Sequence, residues 1–435
     1  MRALLLAAGT TLALAGCASK GEDPQQQIGA DPKLPAIQQY LVPPMHVVPP
    51  SPWGQGAPKV PSGLKVQAFA TGLAKPRSVY TLPNGDVLVV ETDGPPEPIH
   101  RPKDVVMNLI QAHAHGGGTA GMDIVLLRDA NGDGVPELKT KFITGLNSPF
   151  GVALVGGDLY VANTDAILRF PYQTGQTRIT AAGTKLIDLP GGPIDHHWTK
   201  SLVASPDGTK LYVGVGSNSN ITENGMDAER GRAAIWEVDR ASGAYRLYGT
   251  GLRNPNGLQF EPLTNTLWAV VNERDELGPD LVPDYITSVR DGGFYGWPYS
   301  YWGQNIDPRV KPQRPDLVAR AIKPDYGLSS HVAPLGMVFS ANAAALPAQW
   351  RSGAFIGEHG SWDRGHLNGY KVIYVPFAEG RPAGKAVDVV TGFVDGEKAH
   401  GRPVGLGLDR TGALLIADDL GNIVWRVSGA EIAPR

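Results

Sequence analysis

From Leu64 onward the chain repeats one pattern: a short apolar run, a turn rich in Pro, Asn, Asp and Gly, and a second apolar run. Within the runs apolar residues recur at every second position, as at Val87 and Val89 and at Leu211, Val213 and Val215, which is the period of a β-strand. The Asn-Gly and Asp-Gly pairs between runs suit hairpins, because Asn, Asp and Gly tolerate positive φ. Six units are marked by their starts, at Leu73, Leu146, His197, Leu252, Val332 and Arg402. A small sheet repeated in order predicts a radial array, here an all-β, six-bladed β-propeller. The last unit supplies only about three strands before Arg435, and Leu64–Ala70 reads as a lone strand ahead of the first unit. Pairing the two would close the ring and hide an exposed edge. A β-sandwich pair is the competing reading. No segment has the period of a long amphipathic helix.

Composition agrees with a turn-rich β architecture. The 435 residues include 55 Gly and 37 Pro, well above the usual ~7% and ~5%, with no collagen-like period. Hydrophobic residues make up 42% and charged residues 19%, enough to bury a large core. Lys and Arg total 39 against 42 Asp and Glu, a net charge of −3 that argues against a nucleic-acid binder.

The first residues, MRALLLAAGTTLALAGC, read as a positive n-region followed by an apolar run too short to span a bilayer. Leu14-Ala15-Gly16-Cys17 resembles the lipobox of bacterial lipoproteins, which implies cleavage before Cys17 and lipidation of its thiol. Cys17 is the only cysteine, so no intramolecular disulfide can form. Residues 18–61 hold ten prolines and the Gln25–Gln27 run, expected to form an extended tether without regular structure. The expected organisation is a lipoprotein signal peptide over 1–16, a Pro-rich linker over 17–61 and a propeller over 62–435. The location that follows is the cell envelope, with a lipid-anchored propeller exported to the periplasmic side.

Chemistry-bearing residues stand just before the first strand of several units: His196-His197, Arg253-Asn254, His331 and His400-Gly401-Arg402. In a propeller such positions face the same end of the central channel, so residues distant in sequence converge on one pocket. Taken singly, each reads as well as a solvated strand end. Together, two Arg, an Asn and a His read as the seat of a polyanion or a cofactor.

The stretches GLRNPNGLQF (251–260), NERDELGPDLVPDY (272–285), DGGFYGWPYSYWG (291–303), EHGSWDR (358–364) and GRPVGLGLD (401–409) carry a resemblance. From about Leu64 to Val427 the chain resembles the soluble quinoprotein glucose/sorbosone dehydrogenases, and the L-sorbosone dehydrogenase branch more closely. That resemblance implies a six-bladed propeller that binds pyrroloquinoline quinone (PQQ) with Ca²⁺ and oxidises a sugar or sugar-derived aldehyde. It implies His197, rather than His196, as general base, taking the substrate hydroxyl proton while hydride leaves to the quinone. It implies Arg253 beside the quinone oxygen. Asn218, Asn254, Trp362, Arg364 and Arg402 would be further cofactor contacts. The metal would be held around Glu273, Arg274, Asp275 and Asp284, through carboxylates or backbone carbonyls. Gly216-Ser217 stands where the family has Gly-Asp, and Glu273–Glu276 lacks the family's Gly-Pro. Electrons would pass to an envelope quinone or cytochrome.

A calcium-dependent lactonase on the same fold is the alternative, with Glu91, Asn163 and Asn254 around one ion; it leaves Arg253 and Arg402 without a task. A non-catalytic binding propeller is a third reading. The DANGDG run from Asp129 to Gly134 lacks the twelfth-position Glu of an EF-hand and reads as a hairpin turn. His113 and His115 have no third ligand nearby to make a zinc site. No Walker motif or dinucleotide fingerprint occurs. The insertion around Tyr301–Tyr326, with Arg309, Lys311, Arg314 and Arg320, is expected to shape specificity at the channel mouth.

Overall fold

The computed structural model describes residues 23–40, 45–96, 98 and 121–430. The expected signal peptide, Cys17, His113 and His115 lie outside the described residues. Six antiparallel blades follow in chain order. Their innermost strands are Pro76–Thr81, Gly151–Val155, Leu202–Ala204, Asn254–Phe260, Pro334–Phe339 and Pro403–Leu408. Each inner strand packs against that of the next blade, and the sixth returns to the first, so the ring is closed. Residues from all six strands line a cavity of about 250 Å³ along the central channel. This arrangement rules out the paired sandwich.

Closure follows the expected route. Leu64–Ala70 pairs antiparallel with Ile423–Gly429, Leu64 opposite Gly429 and Val66 opposite Val427, and becomes the outer strand of the sixth blade. The first and last described strands of the ring thus share one sheet, in which Leu64–Ala70 covers the edge that Ile423–Gly429 would otherwise expose.

The apolar alternation serves two interfaces at once. In Val87–Glu91 every residue is buried. Val87 and Val89 pack toward the sixth blade with Phe69, Leu415 and Val424. Leu88 and Val90 pack toward the second blade with Val152, Leu159 and Val161. The other blade interfaces hold comparable cores. Middle strands therefore read as continuous apolar runs, as strands buried on both faces do. Outermost strands such as Thr184–Asp188 stay largely exposed. Near the channel the inner strands approach so closely that a Cβ on Gly336 would lie 2.1 Å from the Val404 oxygen, and one on Gly151 2.5 Å from the Leu202 nitrogen. Only glycine fits there.

The segment expected to be an extended tether without regular structure has described parts that pack against the propeller. Pro24–Gln27 forms a 3-10 turn, and Ile28–Gly29 adds a strand to the outer edge of the fourth blade, opposite Leu328 and Gly327. Gln27 is buried; it accepts from Ser330 Oγ at 2.7 Å and donates to the Asp280 carbonyl. Further along, Val48 is fully buried and Trp53 Nε1 donates to Asp418 Oδ2 at 2.8 Å. Proline content reported an extended backbone but not the partners that hold it. Among the described residues no helix is long and apolar enough to cross a membrane.

The DANGDG run is a hairpin turn between Asp123–Arg128 and Leu138–Ile143. Its carboxylates accept from Gly132, Gly134 and Val135 backbone N–H groups. In the Tyr301–Tyr326 insertion, Tyr301 and Trp302 enter the core between the third and fourth blades, while Arg309 pairs with Glu276 and Arg314 with Asp316.

Candidate functional site

A second cavity, about 230 Å³, opens at one end of the channel. Its wall is drawn from two kinds of position that antiparallel pairing brings to the same rim. One lies ahead of an inner strand: Arg253, Ala333 and Arg402 directly before it, His331 three residues before it, and His196 and His197 in the loop leading to Leu202. The other lies at or just after the end of the second strand: Asn272 and Glu273 in the fourth blade, and His359, Gly360, Ser361 and Trp362 in the fifth. Asp275, Asp284, Leu335 and Val47 complete it.

His197 has a defined tautomer. Its Nδ1 lies 2.9 Å from the Ser217 carbonyl oxygen and 3.0 Å from Ser217 Oγ, whose own proton goes to the Ser219 carbonyl. A carbonyl only accepts, so Nδ1 carries the hydrogen and Nε2 the lone pair. Burial, then the Arg253 guanidinium and His196, push the imidazole well below its usual pKa, so it is neutral at physiological pH. Behind it Asn254 Oδ1 is buried and unpartnered, and a Cβ on Gly216 would lie 2.4 Å from His197 Cβ and 2.5 Å from that oxygen.

The loop carrying His197 is pinned by a buried ion triad. Asp195 accepts from Arg232 at 2.6 Å, Lys200 at 3.1 Å and Thr164 Oγ1 at 2.7 Å. Lys200 Nζ also donates to the Trp198 carbonyl at 2.9 Å. Burial lowers the Lys200 pKa to about 8, against the pull of Asp195.

Arg253 is held by the rim. NH1 donates to the Glu273 carbonyl at 2.5 Å, and NH2 to Asn220 Oδ1 at 3.0 Å and Asp275 Oδ2 at 3.2 Å. Asp275 also faces His331 Nδ1 at 3.2 Å. Burial opposes its charge, but Arg253 and His331 hold its carboxyl well below the usual range. Burial likewise opposes the His331 imidazolium, yet Asp275 and Asp363 raise its pKa to about 9. Ligand atoms of Asp275, His331 and Asp363 lie within 4.8 Å of one another, a group able to hold a metal ion. Burial pushes Glu273, Asp284 and Asp363 up to about 7. Asp284 accepts from the Glu273 and Ala333 backbone N–H groups at 2.7 and 2.8 Å. The backbone here is strained: Ser329, His331 and Ala333 take φ of 80°, 60° and 52°. Three non-glycine residues in the left-handed region within five positions are the kind of strain that accumulates at functional sites.

Arg402 stands over the Tyr370 ring at 5.4 Å, with a buried Nε that has no hydrogen-bond partner. The neighbouring carboxylate, Asp419, is engaged by Arg77 at 2.6 Å and by His359 at 3.1 Å.

Of the expected site residues, His197, Arg253, Trp362, Arg402, Glu273, Asp275 and Asp284 line this cavity. Four do not. Asn218 turns away, donating to the Ile194 carbonyl at 2.6 Å and accepting from Asn224. Arg364 is fully buried and pairs with Asp280 at 2.9 Å. The Arg274 side chain faces Asp307 at 3.3 Å. Asn254 lies behind the His197 wall rather than in it. His331, read from its place ahead of a strand, lines the cavity as well, and the cavity adds His359 and Val47. His359 was findable from the rule that the end of a second strand shares the rim. Asp363 had the same signal in EHGSWDR. Glu91 and Asn163, the residues of the lactonase alternative, are outside the cavity wall; Glu91 accepts from the Ala74 N–H instead.

Known proteins show the same architecture. The aldose sugar dehydrogenase YliI of Escherichia coli is 32% identical over 42% of this chain and 50% of its own length. The holo pyranose dehydrogenase PQQ domain of Coprinopsis cinerea aligns with a TM-score of 0.68 at 21% identity, covering 88% of this chain and all of that one. A calcium structure of the Trichoderma reesei family AA12 enzyme aligns with a TM-score of 0.69 at 20% identity, covering 89% of this chain and 99% of that one. The chain spans about half the length of the curated relatives it matches, at 62%, 50% and 44% for three of them. The TrAA12-like family matches residues 116–283 and 313–430. With that match covering well over half of the chain, on a closed six-bladed ring of the same architecture, the protein belongs to the TrAA12-like family.

Proposed function

We propose that this protein oxidises a sugar or sugar-derived aldehyde with PQQ as cofactor and Ca²⁺ as its metal. The observation that carries the reading is a neutral His197, with Nε2 bearing the lone pair, in one cavity with two guanidinium groups. PQQ is a tricarboxylate, and the donor set suits such an anion. Arg402 offers a cationic fork with a buried unpartnered N–H, which suits a carboxylate. When bound, the quinone supplies the two-electron acceptor for the hydride that leaves the substrate carbon.

The chain's own residues supply the rest. His197 Nε2 takes the substrate hydroxyl proton, and the Ser217 carbonyl keeps Nδ1–H in place during that transfer. Arg253, oriented by Asp275 and the Glu273 carbonyl, sets a fixed positive charge in the wall before the reaction begins. Trp362 provides an apolar face. Asp275 and Asp363 offer the oxygen ligands that a hard cation prefers. The names of the E. coli and C. cinerea relatives support sugar oxidation. Electrons then go to an envelope quinone or cytochrome, and the chain is anchored at the envelope through a lipid on Cys17.

The test is reduction of an artificial dye by the full chain supplied with PQQ and Ca²⁺, over a panel of aldoses, ketoses and sugar aldehydes. Sugar-dependent reduction that requires PQQ and is lost in His197→Ala is expected. Equal dye reduction with and without PQQ, or full activity in His197→Ala, would overturn the reading. Lactone hydrolysis would be examined next.

A further inference from the structure

One wall of the cavity belongs to no blade. Val47 comes from the N-terminal segment, which crosses the rim from outside the ring. It is fastened on both sides. The His46 N–H donates to the Trp362 carbonyl at 3.0 Å, and the His46 ring bridges the Gly365 carbonyl at 3.2 Å and Glu397 Oε2 at 2.7 Å. Val48, next in sequence, is fully buried in the core between the fifth and sixth blades. Backbone bonds then join Pro49 and Ser51 to Ala399 and Lys59 to Thr391. Val47 is thus held between two anchored neighbours, His46 and Val48.

The rest of the wall is blade residues, most of them polar or charged. Val47 joins Trp362 and Leu335 as an apolar part of that wall, and the His46 N–H bond to the Trp362 carbonyl ties the strap to Trp362. The cationic groups Arg253 and Arg402 sit on the inner strands' rim, and they suit the anionic cofactor. What the wall offers the C–H face of a sugar is its apolar part, Val47 with Trp362 and Leu335. At about 230 Å³ the cavity is already smaller than the ~300–1,000 Å³ usual for small-molecule sites, so the strap's contribution to its size matters.

We propose that Val47 is a specificity-determining residue, the strap wall that limits the oxidised sugar to a single ring and turns away a second. This inference rests on the sugar-oxidation reading. An isopropyl group offers the C–H face of one sugar ring an apolar contact and leaves no path for a glycosidic extension. Differences of one or two methyl groups in such a wall change selectivity by about tenfold or more.

The experiment compares wild type, Val47→Gly and His46→Ala, all full chain with PQQ and Ca²⁺. The readout is the ratio of kcat/KM for glucose to kcat/KM for maltose, alongside PQQ affinity measured by fluorescence quenching. Val47→Gly is expected to shift the ratio toward the disaccharide by about tenfold, with PQQ affinity unchanged. His46→Ala, which frees the strap without touching the wall residue, is expected to shift it the same way by less. An unchanged ratio in both variants, with PQQ bound and glucose oxidised, overturns the role of Val47 and leaves the sugar-oxidation reading standing. A wild type that binds no PQQ or oxidises no sugar overturns both.

Discussion

The Nδ1 of His197 lies 2.9 Å from the Ser217 carbonyl oxygen, and that contact decides which ring nitrogen is basic. No carboxylate backs the imidazole at this point; Ser217 contributes only a carbonyl and a hydroxyl. Burial therefore keeps His197 neutral and its pKa low. Ser217→Asp would set an anion against Nδ1–H and favour the imidazolium, raising the His197 pKa by about one to three units. The acid limb of the kcat/KM profile should move to higher pH by that amount. A limb that stays in place, measured from pH 4 to 8, would mean that His197 is not the titrating base.

The same half-buried imidazole makes stability depend on acidity. Below about pH 6.5 the unfolded chain binds a proton at His197 that the folded chain does not, so stability falls as pH drops through that value. Urea denaturation of His197→Asn should show a flatter dependence between pH 5 and 7 than wild type. Parallel curves would contradict the assignment.

The Asp195 triad places one carboxylate between two cations, Lys200 and Arg232, with side chains at 0%, 0% and 3% exposure. Asp195→Asn leaves two buried positive charges facing each other. A loss of about 3–5 kcal/mol in unfolding free energy is expected. Denaturant titration checks it, and a change below about 1 kcal/mol would show that water or another group already screens the pair.

Glu358 ends the second strand of the fifth blade with both carboxylate oxygens buried and unpartnered. Burial pushes its pKa up to about 8. Between the ordinary carboxyl pKa and about 8, the folded chain keeps a proton that the unfolded chain has lost, so stability falls as pH rises through that window. Glu358→Gln removes the slope. Its melting temperature relative to wild type should increase from pH 5 to pH 8; a constant difference would place the carboxyl in contact with solvent.

Asp363 was not among the residues singled out in sequence, yet it completes a group with Asp275 and His331. If Ca²⁺ binds there, Asp363→Asn should weaken calcium affinity by about tenfold or more, since ligand charge tunes affinity at such sites. Isothermal titration reads this directly. Unchanged affinity would move the ion to Glu273 and Asp284.

The ring was legible because blade interfaces impose apolar alternation, and the six unit starts fall at or a few residues before the inner strands. Rim residues were legible for the same reason: a position before an inner strand fixes the end of the channel it faces. It does not fix which way a side chain turns. Arg274 follows Glu273 in the expected turn but finds Asp307 in an irregular insertion. Asn218 meets Ile194 and Asn224 from loops whose course has no periodicity to read. The packed strap was hidden for a related reason. Proline restricts backbone angles and says nothing about the partners of Gln27, Val48 or Trp53.

The central claim is that the rim cavity is a PQQ seat with Arg402 as one of its anchors. The most direct measurement is equilibrium titration of the full chain with PQQ in the presence of Ca²⁺, for wild type and Arg402→Met. Saturable binding at one PQQ per chain, weakened by about tenfold or more in Arg402→Met as expected for loss of a charge-assisted contact, is what this account predicts. Absence of saturable binding to wild type, or equal affinity in the two proteins, would contradict it.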